Sequence, residues 1–283
     1  MSDTDDIYRT SHLKLVPRRH WGRMISAAVV LLLLAALVRA FANGKIEWTY
    51  VGDFLFSRAI LDGLVNTILM TFAAMALGIV LGVVFAIMRI SENPVLSSIA
   101  TGYVWIFRGA PALLQLLLWF NLALVFPKIG IPGVMEWRTV DVMTPFVAAM
   151  LALGIQQGAY TSEVVRGGLL SVDGGQYEAA RAIGMGQLLM LRRIVLPQAM
   201  RVILPPIGNE VIGMVKTTSL ASVIQYSEIL HNAQIIYFAN TRVLELLLVA
   251  SFWYLATVSI LSVVQMYIER YFARGTKRLK ATG

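Results

Sequence analysis

The chain has 283 residues, 58% hydrophobic and 14% charged, with a mean hydropathy of +0.71. Soluble domains carry about 45–50% apolar and about 25% charged residues, which argues against a soluble enzyme. The formal charge of +8 and the pI near 9.9 do not point to nucleic acid, because the basic residues flank apolar runs, as membrane topology places them. Cysteine is absent and His12, His20 and His231 are scattered. That removes a disulfide framework, a thiolate metal site and a histidine metal cluster.

Residues 1–23 read as a basic tail. The first apolar run, 24–42, makes a helix of about 28 Å, enough to cross a membrane. It is longer than the core of a signal peptide, and no clean A-x-A site follows. The second run covers 64–90. The third begins near Ser97 and breaks at Arg108-Gly109-Ala110-Pro111. Pro111 suits the first turn of a new helix, where its missing N–H costs nothing, and that helix runs to about 126. Further runs cover 144–165, 200–224 (the least apolar) and 243–268, before a polar tail at 269–283. The expected fold is an all-α membrane bundle of six transmembrane helices, with both termini on one side. Arg9, Lys14, Arg18, Arg19 and Arg23, then Arg89, a group in 166–201, and Arg270, Arg274, Lys277, Arg278 and Lys280 share one side. They outnumber Lys45, Arg58, Lys128, Arg138 and Arg242 on the other. The positive-inside rule therefore puts both termini in the cytoplasm.

Residues 171–197 break the membrane pattern. Ser171 and Asp173 offer N-cap oxygens, and 176–183 is rich in helix formers. Gly184 is placed to end that helix, and Gly186 allows a second bend. A second short helix is expected over 188–195, stopped by Leu196-Pro197. A helix of small residues can lie close in a groove on another protein and transmit its motion. The plainer alternative is an amphipathic helix resting on the membrane surface.

Glu178-Ala179-Ala180, then Gly184, then Ile194-x-Leu196-Pro197 resembles the EAA motif of ABC importer permeases. All seven specified positions are met. Phe107-Arg108-Gly109-Ala110-Pro111-Ala112-Leu113-Leu114-Gln115 is similar to the FRGTPLLVQ stretch of polar amino acid permeases, with Ala110 where threonine is commoner. Ala159-Tyr160-x-x-Glu163-x-x-Arg166-Gly167-Gly168 and Pro205-Pro206-x-Gly208-Asn209-Glu210, followed by Lys216-Thr217-Thr218-Ser219-Leu220, resemble further signatures of that family. The resemblance covers 60–268. It implies a five-helix type I permease core, with the helix at 24–42 as an extra. It also implies that Glu178, Ala179, Ala180, Gly184, Ile194, Leu196 and Pro197 form the coupling surface. Two ATP-binding subunits, holding ATP and Mg, would dock there. A second permease, identical or homologous, would complete the pore. An extracytoplasmic binding protein would deliver the amino acid to loops near 43–59, 127–143 and 225–242.

Charges inside a membrane are expensive and mark function or packing. Asn209, Gly213, Lys216 and Leu220 share one helical face, which must meet other helices or a water-filled path. Arg108, beside the helix that starts at Pro111, suits a substrate carboxylate, with Gln115 below it; headgroup contact is the alternative. Glu163 is either an i,i+3 partner of Arg166 or a contact for the substrate's ammonium. Glu210, Thr217 and Ser219 complete the expected substrate path. Lys216-Thr217 is not a phosphate loop, since Val215 replaces the required glycine. The chain itself is thus expected to bind no cofactor, to hydrolyse no ATP and to bind no nucleic acid. An ion-coupled secondary transporter, with Glu210 as the titrating carboxylate, is the alternative reading.

Overall fold

The computed structural model describes residues 21–131 and 134–272, so the tails at 1–20 and 273–283 lie outside the described residues. The chain divides into two units, with the boundary between Glu47 and Trp48. The described helix of the first unit is α1 (Trp21–Ala42), 22 residues that are apolar all round, none of them buried. A helix apolar on every face suits a lipid surround.

The second unit holds the bundle. A short helix, α2 (Trp48–Leu55), leads into α3 (Arg58–Ile90), of 33 residues. Then come α4 (Pro94–Gly109) and α5 (Ala112–Phe120). Asn93 caps α4 by accepting from the Val95 N–H, with Pro94 in the first turn. The break at Ala110-Pro111 turns the chain by 101°, so 97–126 is not one straight span. Like α2, the next two elements were not expected. A hairpin pairs β1 (Lys128–Ile131) with β2 (Met135–Arg138), antiparallel, and a four-residue helix, α6 (Thr139–Val142), follows it. The remaining regular elements among the described residues are helical. α7 (Pro145–Leu170) starts from the Thr144 cap, again with proline in its first turn.

α3 and α7 run parallel and in close contact, with the register rising together along both helices. A Cβ built on Gly82 would sit 2.6 Å from the Thr161 Cβ, and one on Gly154 2.8 Å from the Leu77 Cδ2. Gly78 and Gly82 face Gly154 and Gly158, two G-x-x-x-G pairs that let backbones approach.

The segment after α7 follows the expected plan for one helix and departs for the next. Asp173 Oδ1 accepts from the Gly175 N–H at 2.7 Å and caps α8 (Gly174–Ala182). Gly184 takes φ +70°, and the Met185 N–H returns to the Ala180 carbonyl at 3.0 Å, closing the helix as a Schellman turn. α9 (Gln187–Met190) is shorter than expected and passes through a π-helical turn, Leu191–Val195, directly into α10 (Leu196–Thr217). Leu196-Pro197 therefore does not stop a helix. Pro197 occupies the first turn of α10, where a backbone N–H is dispensable.

Pro205 and Pro206 lie inside α10 and remove two ladder donors. The side chain of Gln265, on α12 (Val243–Phe272), donates to the Pro205 carbonyl at 3.0 Å. A 3₁₀ stretch, Thr218–Ile224, leads to α11 (Ile229–Asn240), whose N-terminus is capped by the fully buried Glu228. That carboxylate accepts from the Leu230 and His231 N–H groups at 2.8 and 2.6 Å and from the Tyr254 hydroxyl.

Among the described residues three helices, α1, α3 and α12, are long and apolar enough to cross a membrane, or four spans if α4 and α5 count as one broken span. α7 and α10 have 26 and 22 residues, long enough to cross but diluted by the polar residues that build the site.

Candidate functional site

A cavity of about 370 Å³ opens between α5, α7 and α10. Its polar wall is Gln156, Gln157, Tyr160, Glu210 and Thr217, and its apolar wall includes Ala112, Leu153 and Met214. Glu210 is half-buried, and its Oε2 accepts from the Thr161 hydroxyl at 2.9 Å. Gln157 donates to that hydroxyl oxygen at 3.2 Å. Thr161 itself is fully buried against Gly82. The close α3–α7 contact thus fixes the residue that aims Glu210. No cation lies within 4 Å of the Glu210 carboxylate among the described residues. A carboxylate so held in a lipid-embedded bundle leaves one negative charge open to a ligand.

Tyr160 also lines a second cavity, of about 490 Å³, with Arg89, Trp105, Arg108 and Glu163. The Arg108 guanidinium sits 5.0 Å above the Tyr160 ring, within cation–π range. Glu163 is occupied. Oε1 is bonded by Arg89, and Oε2 accepts from the Arg166 Nη2 and Nε at 2.9 and 3.1 Å. The expected i,i+3 pair forms, and Arg89, which sequence reading treated only as a loop charge, completes it from α3.

Of the other expected path residues, Thr217 lines the Glu210 cavity, and Gln115, Ser219, Asn209 and Lys216 are not among its lining residues. Gln115 is buried, and its amide nitrogen donates to the Phe107 and Ala110 carbonyls at 3.0 and 2.9 Å, bracing the bend between α4 and α5. Its Oε1 is buried without a partner. Replacing Gln115 by Leu should strand the Phe107 carbonyl and leave the Ala110 carbonyl only the long bond from the Gln156 amide at 3.4 Å, at a cost of roughly 1–3 kcal/mol, read as an earlier thermal transition of the purified protein; an unchanged transition would remove the brace. Thr217 and Ser219 donate their hydroxyls to the Gly213 and Lys216 carbonyls of their own helix, at 3.1 and 2.7 Å. Asn209 and Lys216 are exposed. Sequence reading missed Thr161, whose only signal was a hydroxyl inside an apolar span.

The α8 surface lies apart from these cavities. Ala180 is buried and Tyr177 half-buried, in a cluster with Ala86, Val172, Val195 and Ala199. The opposite face exposes Glu178, Ala179, Ala182 and Gly184, flanked by Ile183 at 75% and Leu188 at 78% exposure. Of the other motif positions, Ile194 is half-buried, while Leu196 and Pro197 are exposed.

Known proteins match this arrangement. The family described as binding-protein-dependent transport system inner membrane component covers residues 78–278. The arginine transport system permease protein ArgU of Corynebacterium glutamicum is 41% identical over 265 residues, 93% of this chain and 84% of that protein. The nopaline transport system permease protein NocM of Agrobacterium fabrum is 40% identical over 204 residues, 72% of this chain and 83% of its own length. A crystal structure of an amino acid ABC transporter with histidines superposes with a TM-score of 0.69 at 31% identity, covering 81% of this chain and 100% of that one. With its apolar helices and this match, the chain is a multi-pass membrane protein and belongs to the family of binding-protein-dependent transport system inner membrane components.

Proposed function

We propose that this chain is the permease subunit of an ATP-driven importer that carries a cationic amino acid across the cytoplasmic membrane. The unpaired Glu210 carboxylate in the cavity beside Tyr160 carries the substrate part of this reading. A guanidinium or ammonium is the natural partner for a carboxylate held in a low-dielectric wall. Arginine and nopaline, named for the relatives' transport systems, both carry a guanidinium. The placement of the acidic and basic path residues favours a cation. Glu163 is neutralised by arginines, and Lys216 lies on the exposed face of α10.

Driving force enters from outside the chain. α8 is anchored through Ala180 and presents a small-residue face bounded by the rigid turn at Gly184. That supports docking of two ATP-binding subunits, which hold ATP and Mg. Closure of that pair would move α8 and switch the bundle between inward- and outward-open states, with energy from their differential binding. The polar groups Asn209 and Lys216, exposed on a membrane helix, cannot face lipid at low cost. They support a second permease packed against α10. The binding protein would meet the opposite end, at the segments near 43–59, 127–143 and 225–242, which the structure builds as α2, the hairpin with α6, and α11 rather than as loops. The charge bias keeps both termini cytoplasmic.

The test is a mild-detergent pull-down of the tagged chain, compared with Glu178→Arg and Gly184→Val. Glu178 is exposed, so its replacement leaves the bundle intact. Valine at φ +70° is strained. An ATP-binding subunit should come down with the native chain and be lost from both variants. A native chain that purifies without any ATPase would sink the importer reading and favour ion coupling through Glu210.

A further inference from the structure

The second cavity holds more positive charge than its own residues neutralise. Arg89, Arg108 and Arg166 surround the single carboxylate of Glu163, with side chains only 25, 43 and 33% exposed. Among the described residues, no other carboxylate comes within 4 Å of any of the three. Arg89 and Arg108 line the cavity, and Arg166 bonds Glu163 from beside it, so two guanidinium charges are in excess around one partly desolvated carboxylate, which is unfavourable unless an anion shares the space. Arg89 and Arg166 are committed to Glu163. Arg108 is not: its nearest Nη lies 3.8 Å from Oε1, beyond hydrogen-bond length, and its guanidinium makes no hydrogen bond among the described residues. Tyr160 holds it from one face at 5.0 Å, leaving its donor edge open.

We infer that this cavity is a binding site for one oxyanion of the phosphate type, received by the free fork of Arg108 with Arg89 and Arg166 as the supporting field. The planar fork matches two oxygens of such a group, and 490 Å³ accommodates a headgroup. Trp105 lines the same cavity while 76% exposed, the placement of an aromatic residue at a membrane–water boundary. Arg89 sits in the last turn of α3. In the orientation proposed above, on which this part rests, that turn lies at the cytoplasmic leaflet, where anionic lipids meet basic pockets between helices. The same chemistry could be met by a phospholipid headgroup or by a free phosphate from the cytoplasm.

Native mass spectrometry of the purified complex in detergent distinguishes them. Phosphatidylglycerol, phosphatidylcholine and inorganic phosphate are titrated separately against the native chain, Arg108→Gln, Arg108→Lys and Arg192→Gln. Retention of one phosphatidylglycerol in preference to phosphatidylcholine, weakened roughly tenfold by Arg108→Gln, would support the site and assign it to lipid. Arg108→Lys should fall between, because it keeps the charge and loses the fork, and Arg192→Gln should match the native chain. Arg108-dependent binding of inorganic phosphate without lipid preference would support the site with a free ligand. Equal retention of both lipids and no phosphate binding, or binding indifferent to Arg108, would overturn the inference. The readout needs no ATP hydrolysis and no defined leaflet, so it can fail while the importer reading stands, and the reverse.

Discussion

Glu210→Gln is expected to cut import of a cationic amino acid by about ten- to a hundredfold while leaving recovery of the ATP-binding subunit unchanged. The amide is isosteric, so Thr161 keeps a partner and α7 stays tied to α10. Only the charge facing the cavity is lost. A hydrogen bond to a charged group is worth about 1.5–3 kcal/mol, and 1.36 kcal/mol is a factor of ten. Glu210→Asp should fall between, since it keeps the charge but withdraws it by one methylene. The measurement is uptake of labelled arginine into cells or proteoliposomes, with binding-protein-stimulated ATPase recorded alongside. Uptake within twofold of the native level would show that selectivity lies elsewhere, in the binding protein or the second permease. An uncoupler separates the remaining alternative: it should leave ATP-driven uptake standing and collapse an ion-coupled process.

The second large effect is on the bundle itself. Gly82→Ala adds one methyl group where a Cβ would lie 2.6 Å from both Cβ and Cγ2 of Thr161. Neither side can yield cheaply, because Thr161 is fully buried and β-branched. Overpacking of this kind costs about 1–3 kcal/mol, and Gly82→Leu costs more. Displacing Thr161 also removes the hydroxyl that orients Glu210, so transport should suffer beyond the loss of folded protein. Gly102→Ala is the comparison, because nothing lies within 4 Å of a Cβ there. Thermal unfolding in detergent reads the difference. Equal transitions for the two alanine variants would show that α3 and α7 are less closely apposed than described.

Local chemistry made much of this architecture readable. Asn93-Pro94 and Thr144-Pro145 announce helix starts, because each pairs a capping side chain with a residue that needs no N–H. Asp173 and Gly184 bound α8 for similarly local reasons. Gly78-x-x-x-Gly82 and Gly154-x-x-x-Gly158 are a further signal in the sequence for the α3–α7 contact. The hairpin at 128–138 and α11 were not anticipated, because short polar-apolar stretches between spans carry no distinct periodicity. The Leu196-Pro197 boundary was misjudged, since proline is compatible with both the end of one helix and the first turn of the next.

The site was less legible than the fold, because its defining contacts are distant in sequence. Glu163 meets Arg89 from 74 residues away, and Glu210 meets Thr161 across 49 residues. Composition names the charges without saying which ones cancel. Only their placement shows that Glu163 is neutralised while Glu210 and Arg108 remain open, on either side of one tyrosine.

The π-helical turn at Leu191–Val195 sets the phase between the cytoplasmic helices and the membrane. A wider turn holds one residue more than an α-helical turn spanning the same rise, and one residue is worth about 100° of rotation. Removing it would swing α8 around the axis of α10 by more than a quarter turn. Ala180 would leave the pocket beside Ala86, and the face carrying Glu178 would be redirected. Val195, at the end of this turn, is fully buried. The surface offered to the cytoplasm is thus indexed to the cavity wall by residue count, as teeth index two gears. Chain length between Met190 and Leu196 is therefore as constrained as any side chain in the motif.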